Sequence, residues 1–228
     1  MVNAAHAGTK LEEPTLRLAP STGGTGRVAL TLDACGGKTD FRILNALVDN
    51  RIPATIFVTG LWLKRNKKAL DIMTAHPELF ELEDHGARHK PAVDEAMRIY
   101  GIKAAGSPEA VAAEVAGGAD RMKAAGLPAP HWFRGATAKY TATAITQINQ
   151  LGYRVAGYSV NGDGGSLLGA KTTQKRVAAA RDGDVIIAHI NQPKHGAGAG
   201  LVLGLLDLKA KGVTFVRLQD AEEVKAGS

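Results

Sequence analysis

The chain contains a single cysteine and no long apolar run, and each shortage excludes a class of protein. Its 228 residues include only Cys35, so neither an internal disulfide nor a cysteine-rich metal cluster can form. No stretch reaches the roughly eighteen consecutive apolar residues that a membrane helix needs. Lysine and arginine produce a net charge of +6, but they are spread along the chain rather than grouped. We therefore expect no transmembrane segment and no nucleic-acid partner.

Short β-rich runs recur along the chain, with helical patterns between most of them. Continuous apolar runs such as DVIIAHI are typical of strands that are buried on both faces, as in a parallel sheet. A 3.6-residue apolar period over 40–48 and the cap Ser107-Pro108 indicate helices. The predicted strands are the seven runs 27–33, 53–60, 79–84, 131–134, 153–160, 184–190 and 213–218. This alternation predicts an α/β protein with a parallel sheet, open or closed.

Five chemically capable side chains lie at or just beyond the carboxyl ends of these predicted strands. They are Asp33, His85, Arg134, Asp163 and His189. In α/β barrels, the loops that follow the strands converge at this end and carry the active site. The coincidence predicts one site to which all of these residues contribute.

The stretch GGKT at 36–39 looks like the end of a phosphate-binding loop. Such a loop also needs a glycine at position 32 to begin its curl around the phosphates, and that position is Leu32, inside the first predicted strand. The glycine-rich stretch 195–204 misses the dinucleotide-binding motif as well, because Leu203 replaces its last glycine. A nucleotide-binding protein is therefore disfavoured, and GGKT is interpreted as a tight turn between strand and helix.

His85 and His89, in the segment DHGARHKP, are spaced so that a loop can wrap both imidazoles around one cation. Neutral imidazole suits zinc and related metals, usually together with a carboxylate. Asp33 lies one predicted strand away and supports the interpretation of this pair as metal ligands. His189, at the end of an apolar strand, is a candidate general acid. Asp163 is a candidate to accept a proton from this imidazole and raise its basicity.

From 27 to 220 the chain resembles the polysaccharide deacetylases, carbohydrate esterase family 4, which share the NodB homology domain. TLDA resembles the first family motif, Thr-Phe-Asp-Asp, and HGARH resembles the second, His-Ser/Thr-x-x-His. FRGATAKY, SVNGDGG and VIIAH stand in the places of the third, fourth and fifth motifs. The resemblance implies a distorted (β/α) barrel with about seven parallel strands. It also implies a divalent metal, typically zinc, and hydrolysis of N-acetyl groups on amino sugars such as those of chitin or peptidoglycan.

The resemblance further implies catalytic roles for four matching residues. Asp33 is expected to act as the general base, and Arg134 to steady it. His189 is expected to act as the general acid, with Asp163 in support. Such an acid–base pair produces a bell-shaped dependence of rate on pH.

The metal site departs from the family pattern. His85 and His89 match the two histidine ligands, but Ala34 stands where the family has an aspartate as third ligand. Asp40, just past the glycine turn, is the nearest free carboxylate and our predicted replacement. Asp33 could instead turn onto the metal itself, which would leave the general base unidentified. Two alternatives stay open: a carbohydrate-binding homologue with impaired catalysis, and a cysteine amidohydrolase that uses Cys35.

We predict an N-terminal extension, 1–26, followed by a deacetylase-like domain, 27–228. The extension contains Ala5-His6-Ala7, the small-x-small pattern of a signal-peptidase site, and is interpreted as the remnant of a secretion signal region. We accordingly expect an exported protein, periplasmic or extracellular, whose partner is an N-acetylated carbohydrate.

Overall fold

The computed structural model describes residues 10–21, 23–221 and 223–224 of the chain. The strands are β1 (Arg17–Leu18), β2 (Arg27–Ala34), β3 (Ala54–Val58), β4 (Phe80–Asp84), β5 (Arg98–Ile99), β6 (Ile102–Lys103), β7 (Trp132–Phe133), β8 (Arg154–Val155), β9 (Val160–Asn161), β10 (Val185–His189), β11 (Thr214–Val216) and β12 (Glu223–Val224). The helices are α1 (Phe41–Asp49), α2 (Gly60–Arg65), α3 (Lys67–Ala75), α4 (Pro108–Ala124), α5 (Ala142–Gln150), α6 (Ala170–Ala178) and α7 (Gly196–Ala210). No described helix combines the length and apolarity that crossing a bilayer requires.

The central sheet is parallel and curls into a distorted barrel, as the sequence predicts. Its strands run in the order β8-β7-β4-β3-β2-β10-β9, and β11 pairs with the first half of β2. The outer face is apolar and packs against the helices, whereas the inner face carries polar groups such as Thr31 and Asp33. Parallel pairing sets the carboxyl ends of all these strands at one mouth of the barrel.

The predicted strand 153–160 is divided between the two edges of the sheet. Its first part, β8, pairs with β7, and its last part, β9, pairs with β10. Between them the carbonyl groups of Ala156 and Gly157 turn to accept hydrogen bonds from the Arg134 guanidinium. The run therefore crosses from one edge of the sheet to the other instead of continuing as a single strand.

The predicted N-terminal extension contributes to the fold over its described part. Leu16 and Leu18 are buried, and β1 pairs with β12. The amide of Leu16 also donates to the carbonyl of Tyr158, so the segment lies along the gap between the sheet edges. The described part of the extension thus packs against the barrel, while Ala5-His6-Ala7 lies outside the described residues.

The glycine-rich stretch forms the first half of α7. A Cβ at Gly200 would lie 2.0 Å from the carbonyl oxygen of Ala170, and one at Gly204 would lie 2.7 Å from the Cβ of Val177. These glycines therefore allow α7 to pack closely on α6. Helix packing explains this stretch without a nucleotide.

Candidate active site

Asp33 and His189 are neighbours at the mouth of the barrel. They lie at the ends of β2 and β10, and their Cα positions are paired in the parallel register. Asp33 is 4 % exposed, and its carboxylate lines a cavity together with the imidazole of His189. Adjacent strands thus bring together the two residues that the sequence predicts as general base and general acid.

Arg134 fixes the position of the Asp33 carboxylate. The guanidinium is fully buried, and its Nη1 atom donates to Asp33 Oδ1 at 3.0 Å and to Thr31 Oγ1 at 2.9 Å. The other nitrogens donate to the carbonyl groups of Ala156 and Gly157, at 3.2 and 3.0 Å. Because every nitrogen of the guanidinium has a partner, its orientation is set before any substrate arrives.

Asp163 orients His189 from the loop after β9. Its Oδ1 atom lies 3.0 Å from His189 Nδ1, and its Oδ2 atom accepts from the His189 backbone amide at 2.7 Å. Burial lowers the pKa of His189, but the hydrogen bonds and negative charges of Asp163 and Cys35 together outweigh it and raise the pKa well above the ordinary value. His189 therefore keeps its proton at pH values where a free imidazole has lost it, as a general acid must.

His85 and His89 converge beside Asp33, whose Oδ2 atom lies 3.8 Å from His85 Nε2. His85 Nδ1 lies 2.6 Å from the carbonyl oxygen of Arg134 and donates to it, which leaves Nε2 to face the cavity groups. His89 adopts a φ of 60°, and its ring centroid lies 5.0 Å from that of His85. The two imidazoles therefore lie close together, with the edge of one ring toward the face of the other.

A buried glutamate holds the loop that carries His89. Glu114 of α4 accepts from the backbone amides of Arg88 and Lys90 through one oxygen, at 2.8 and 3.1 Å. A Cβ at Gly86 would come within 2.6 Å of that same oxygen, so glycine is required there. No motif in the sequence distinguishes Glu114, because helix α4 carries several other charged residues.

Cys35 joins the histidine pair, and Asp40 does not. The Cys35 Sγ atom lies 3.6 Å from His85 Nε2, and the ligand atoms of Cys35, His85 and His89 all lie within 4.8 Å of one another. Asp40 instead caps α1 by accepting from the amide of Arg42 and binds the Arg42 guanidinium at 2.6 Å. The prediction that Asp40 lies with the two histidines is therefore wrong, and the side chain that lies beside their imidazoles is the Cys35 thiol.

The electrostatics of the cluster favour a cation between these groups. Burial raises the pKa of the Cys35 thiol, but hydrogen bonds from the three surrounding imidazoles hold it well below its usual range. Burial also raises the pKa of Asp33, and the positive charges of His85, Arg134 and His189 outweigh this and lower it. Burial lowers the pKa of His85, yet Asp33 and Cys35 raise it to about 9. The negative groups that attract a proton to His85 would attract a metal ion in its place, so this donor set fits a divalent cation.

A cavity of about 550 Å³ opens above the cluster. Its lining includes Asp33, Cys35, His89 and His189, with Tyr100 and Leu167 among the other residues. Tyr100 and Leu167 are 77 % and 80 % exposed, so they form an apolar rim around a polar floor. The sequence patterns drew attention to neither rim residue, since both lie in loops without periodicity.

The structure thus brings Asp33, Arg134, Asp163, His85, His89 and His189 to one mouth of the barrel and leaves Asp40 at the start of α1. A buried carboxylate beside a hydrogen-bonded imidazole, under a cavity with a polar floor, defines a hydrolase-type acid–base site on a (β/α) scaffold.

The chain belongs to the polysaccharide deacetylase family, because the model of that family matches residues 21–156. This match confirms the resemblance found in the motifs. No curated protein matches the chain in sequence.

Solved structures of carbohydrate esterase family 4 share the fold. A family pseudoenzyme from Bacillus anthracis, BA3943, is 17 % identical with a TM-score of 0.70, over 90 % of this chain and 66 % of that one. The peptidoglycan deacetylase PdaC of Bacillus subtilis, as a D285S mutant, is 20 % identical with a TM-score of 0.67, over 86 % and 90 %. The family 4 esterase of Streptomyces lividans, in complex with acetate, is 18 % identical with a TM-score of 0.67, over 89 % and 98 %.

Proposed function

We propose that the protein is a metal-dependent N-deacetylase that removes acetyl or related acyl groups from amino-sugar polymers such as peptidoglycan or chitin. The observation that carries the proposal is the pairing of Asp33 with His189 at the barrel mouth, each with its own buried partner. Membership of the deacetylase family supports the reaction class. Peptidoglycan is the better supported polymer, since PdaC is a peptidoglycan deacetylase on the same fold. Such polymers lie outside the cytoplasm, so the proposal includes export.

In this proposal, Asp33 removes a proton from the attacking water. The positive charges of His85 and Arg134 favour the ionised carboxylate, and Arg134 fixes its direction, so the base needs no reorganisation when the water arrives. A divalent cation, with zinc as the first candidate, would bind the imidazoles of His85 and His89 and supply Lewis acidity.

His189 then protonates the departing amine. An amide requires this step because an unprotonated amide anion is a very poor leaving group. The bond to Asp163 keeps the imidazole protonated until the donation and holds its other nitrogen toward the cavity. The exposed apolar rim provides surface for the sugar rings next to the reacting acetamide.

A carbohydrate-binding homologue without catalysis is the second candidate. Ala34 at the family's aspartate position favours it, and BA3943 is a pseudoenzyme with the same fold. The two functions are separated by measuring acetate release from chitooligosaccharides and from peptidoglycan, with elemental analysis of the same protein. Chelator-sensitive acetate release supports the deacetylase. Oligosaccharide binding by metal-loaded protein without acetate release would establish the second candidate.

If the protein is instead a cysteine amidohydrolase, a chelator should leave its activity unchanged. Cys35 lies close enough to His189 for the two to interact, and His189 is paired with Asp163. An enzyme of that kind would retain full activity after metal removal and lose it on alkylation of the thiol. Acetate release by metal-free protein would therefore overturn the metal-dependent proposal.

A further inference from the structure

The last residues of β2, and Cys35 directly after it, point alternately into and away from the barrel mouth. Asp33 and Cys35 both line the cavity. Ala34 is fully buried in the apolar layer between sheet and helices, in the cluster that contains Val58 and Trp62. Side chains of a strand alternate between its two faces, so residues 33 and 35 share a face that residue 34 cannot reach. In this chain, position 35 is therefore the one that meets the imidazoles.

The spacing of the Cys35 sulfur and the His85 Nε2 atom suits two donors on one tetrahedral ion. Zinc binds thiolate sulfur at about 2.3 Å and imidazole nitrogen at about 2.0–2.1 Å, so tetrahedral geometry separates the two donor atoms by roughly 3.6 Å. Cys35 Sγ and His85 Nε2 are 3.6 Å apart. His89 completes a group whose donor atoms all lie within 4.8 Å of one another.

His85 is oriented as a metal ligand usually is. His85 is 1 % exposed, and its Nδ1 proton is committed to the carbonyl of Arg134, which directs Nε2 at the sulfur. Metal-bound histidines characteristically make such an outer hydrogen bond, because it fixes the tautomer and the ring orientation.

We propose that Cys35 is a metal ligand that replaces the aspartate missing at position 34, so that the protein binds its metal through a His2Cys site with a thiolate donor. This inference rests on the proposed function only for the presence of a metal. A thiolate donor favours zinc or cobalt over the harder cations that prefer oxygen ligands. The fourth position remains for water or substrate, as in catalytic zinc sites.

The experiment is cobalt titration of the metal-free protein, followed by absorption spectroscopy. Since Cys35 is the only cysteine, any thiolate-to-cobalt charge-transfer band in the near ultraviolet must come from it. We expect the band to grow to a plateau at a single equivalent of cobalt in the wild-type protein, and to be absent in Cys35→Ala and Cys35→Asp. His131→Ala, in an exposed imidazole outside the site, is the matched control and should keep the band.

The cobalt affinities of the two Cys35 variants distinguish the loss of a metal ligand from the loss of the fold. Removing even an outer hydrogen-bond partner of a ligand costs roughly 10–100-fold in metal affinity, so Cys35→Ala should weaken cobalt binding by more than that. Cys35→Asp places a carboxylate in the same direction and should restore most of the affinity without the band. Circular dichroism of each variant establishes that it is folded.

The outcomes distinguish this inference from the proposed function. Tight cobalt binding without the band in the wild-type protein would overturn the thiolate ligand while leaving a metal-dependent deacetylase intact. Failure to bind cobalt would overturn the ligand assignment. A charge-transfer band in a protein that releases no acetate would support the site and refute the deacetylase.

Discussion

Replacing Asp163 with asparagine tests the acid–base assignment most directly. The carboxylate accepts from the His189 backbone amide at 2.7 Å through one oxygen and from Nδ1 at 3.0 Å through the other. Asparagine has the same shape but only one accepting oxygen. The backbone amide can only donate, so it retains that oxygen, and the new NH2 group faces Nδ1. Nδ1 must then accept a hydrogen bond, which destabilises the imidazolium.

The expected loss follows from the role of His189. General acid catalysis contributes roughly 10²–10⁴-fold, so Asp163→Asn should lower kcat by a factor in that range. In the wild-type protein the pKa of His189 is raised, so the acid stays protonated above the ordinary imidazole pKa of about 6.5. In the variant this pKa falls, and the alkaline limb of the rate profile should move to lower pH.

The same change should alter stability in one pH window. A raised pKa in the folded state stabilises the protein fully below the unfolded pKa, and this stabilisation is lost as pH rises through the folded pKa. Asp163→Asn should therefore reduce the stability difference between mildly acidic and alkaline solution.

The assay is acetate release from a chitooligosaccharide across pH, together with thermal unfolding at the same pH values. Asp71→Asn, in an exposed carboxylate of α3, serves as the control for loss of a negative charge. An Asp163→Asn variant that retains both the wild-type kcat and the wild-type alkaline limb would refute the assignment of His189 as the general acid.

Three further changes test other parts of the molecule. Asp40→Ala removes the cap of α1 and should lower the free energy of unfolding by about 1–2 kcal/mol in chemical denaturation. The metal content of this variant should be unchanged, and a loss of metal would show that Asp40 is a ligand. Gly118→Ala places a Cβ 1.9 Å from Asp84 Oδ1 and should cost about 1–3 kcal/mol by the same measurement, whereas a stabilised variant would contradict this packing. Leu167→Ala removes an exposed rim side chain and should raise KM for oligosaccharides about fivefold with kcat unchanged, which corresponds to a loss of roughly 1 kcal/mol of binding free energy. An unaltered KM would show that Leu167 does not contact the substrate.

The sequence itself determined the scaffold and the positions of the polar residues along it. Buried parallel strands require continuous apolar runs, so a polar residue that ends such a run is conspicuous from the order of amino acids alone. Asp33 and His189 are found in this way, and the sheet register then pairs them. The HGARH spacing likewise brings two imidazoles together, because a turn at Gly86 joins them within a few residues.

Other features depended on contacts between distant parts of the chain. The run 153–160 looks like one strand, and only its two partners, β7 and β10, show that it joins opposite edges. The N-terminal segment carries no motif that predicts packing, yet Leu16 and Leu18 are buried against the barrel.

In the candidate metal site, too, the sequence supplies the possible ligands and the tertiary structure decides between them. Cys35 and Asp40 both lie within a few positions of Ala34, where the family has its aspartate, and the sequence alone favours Asp40 because it is the nearest free carboxylate. Tertiary structure decides, because Ala34 faces the helix layer and the Asp40 carboxylate is taken up by the start of α1 and by Arg42. Only Cys35 follows Asp33 on the inward face, where the imidazoles brought by β4 and its loop lie within reach of its sulfur.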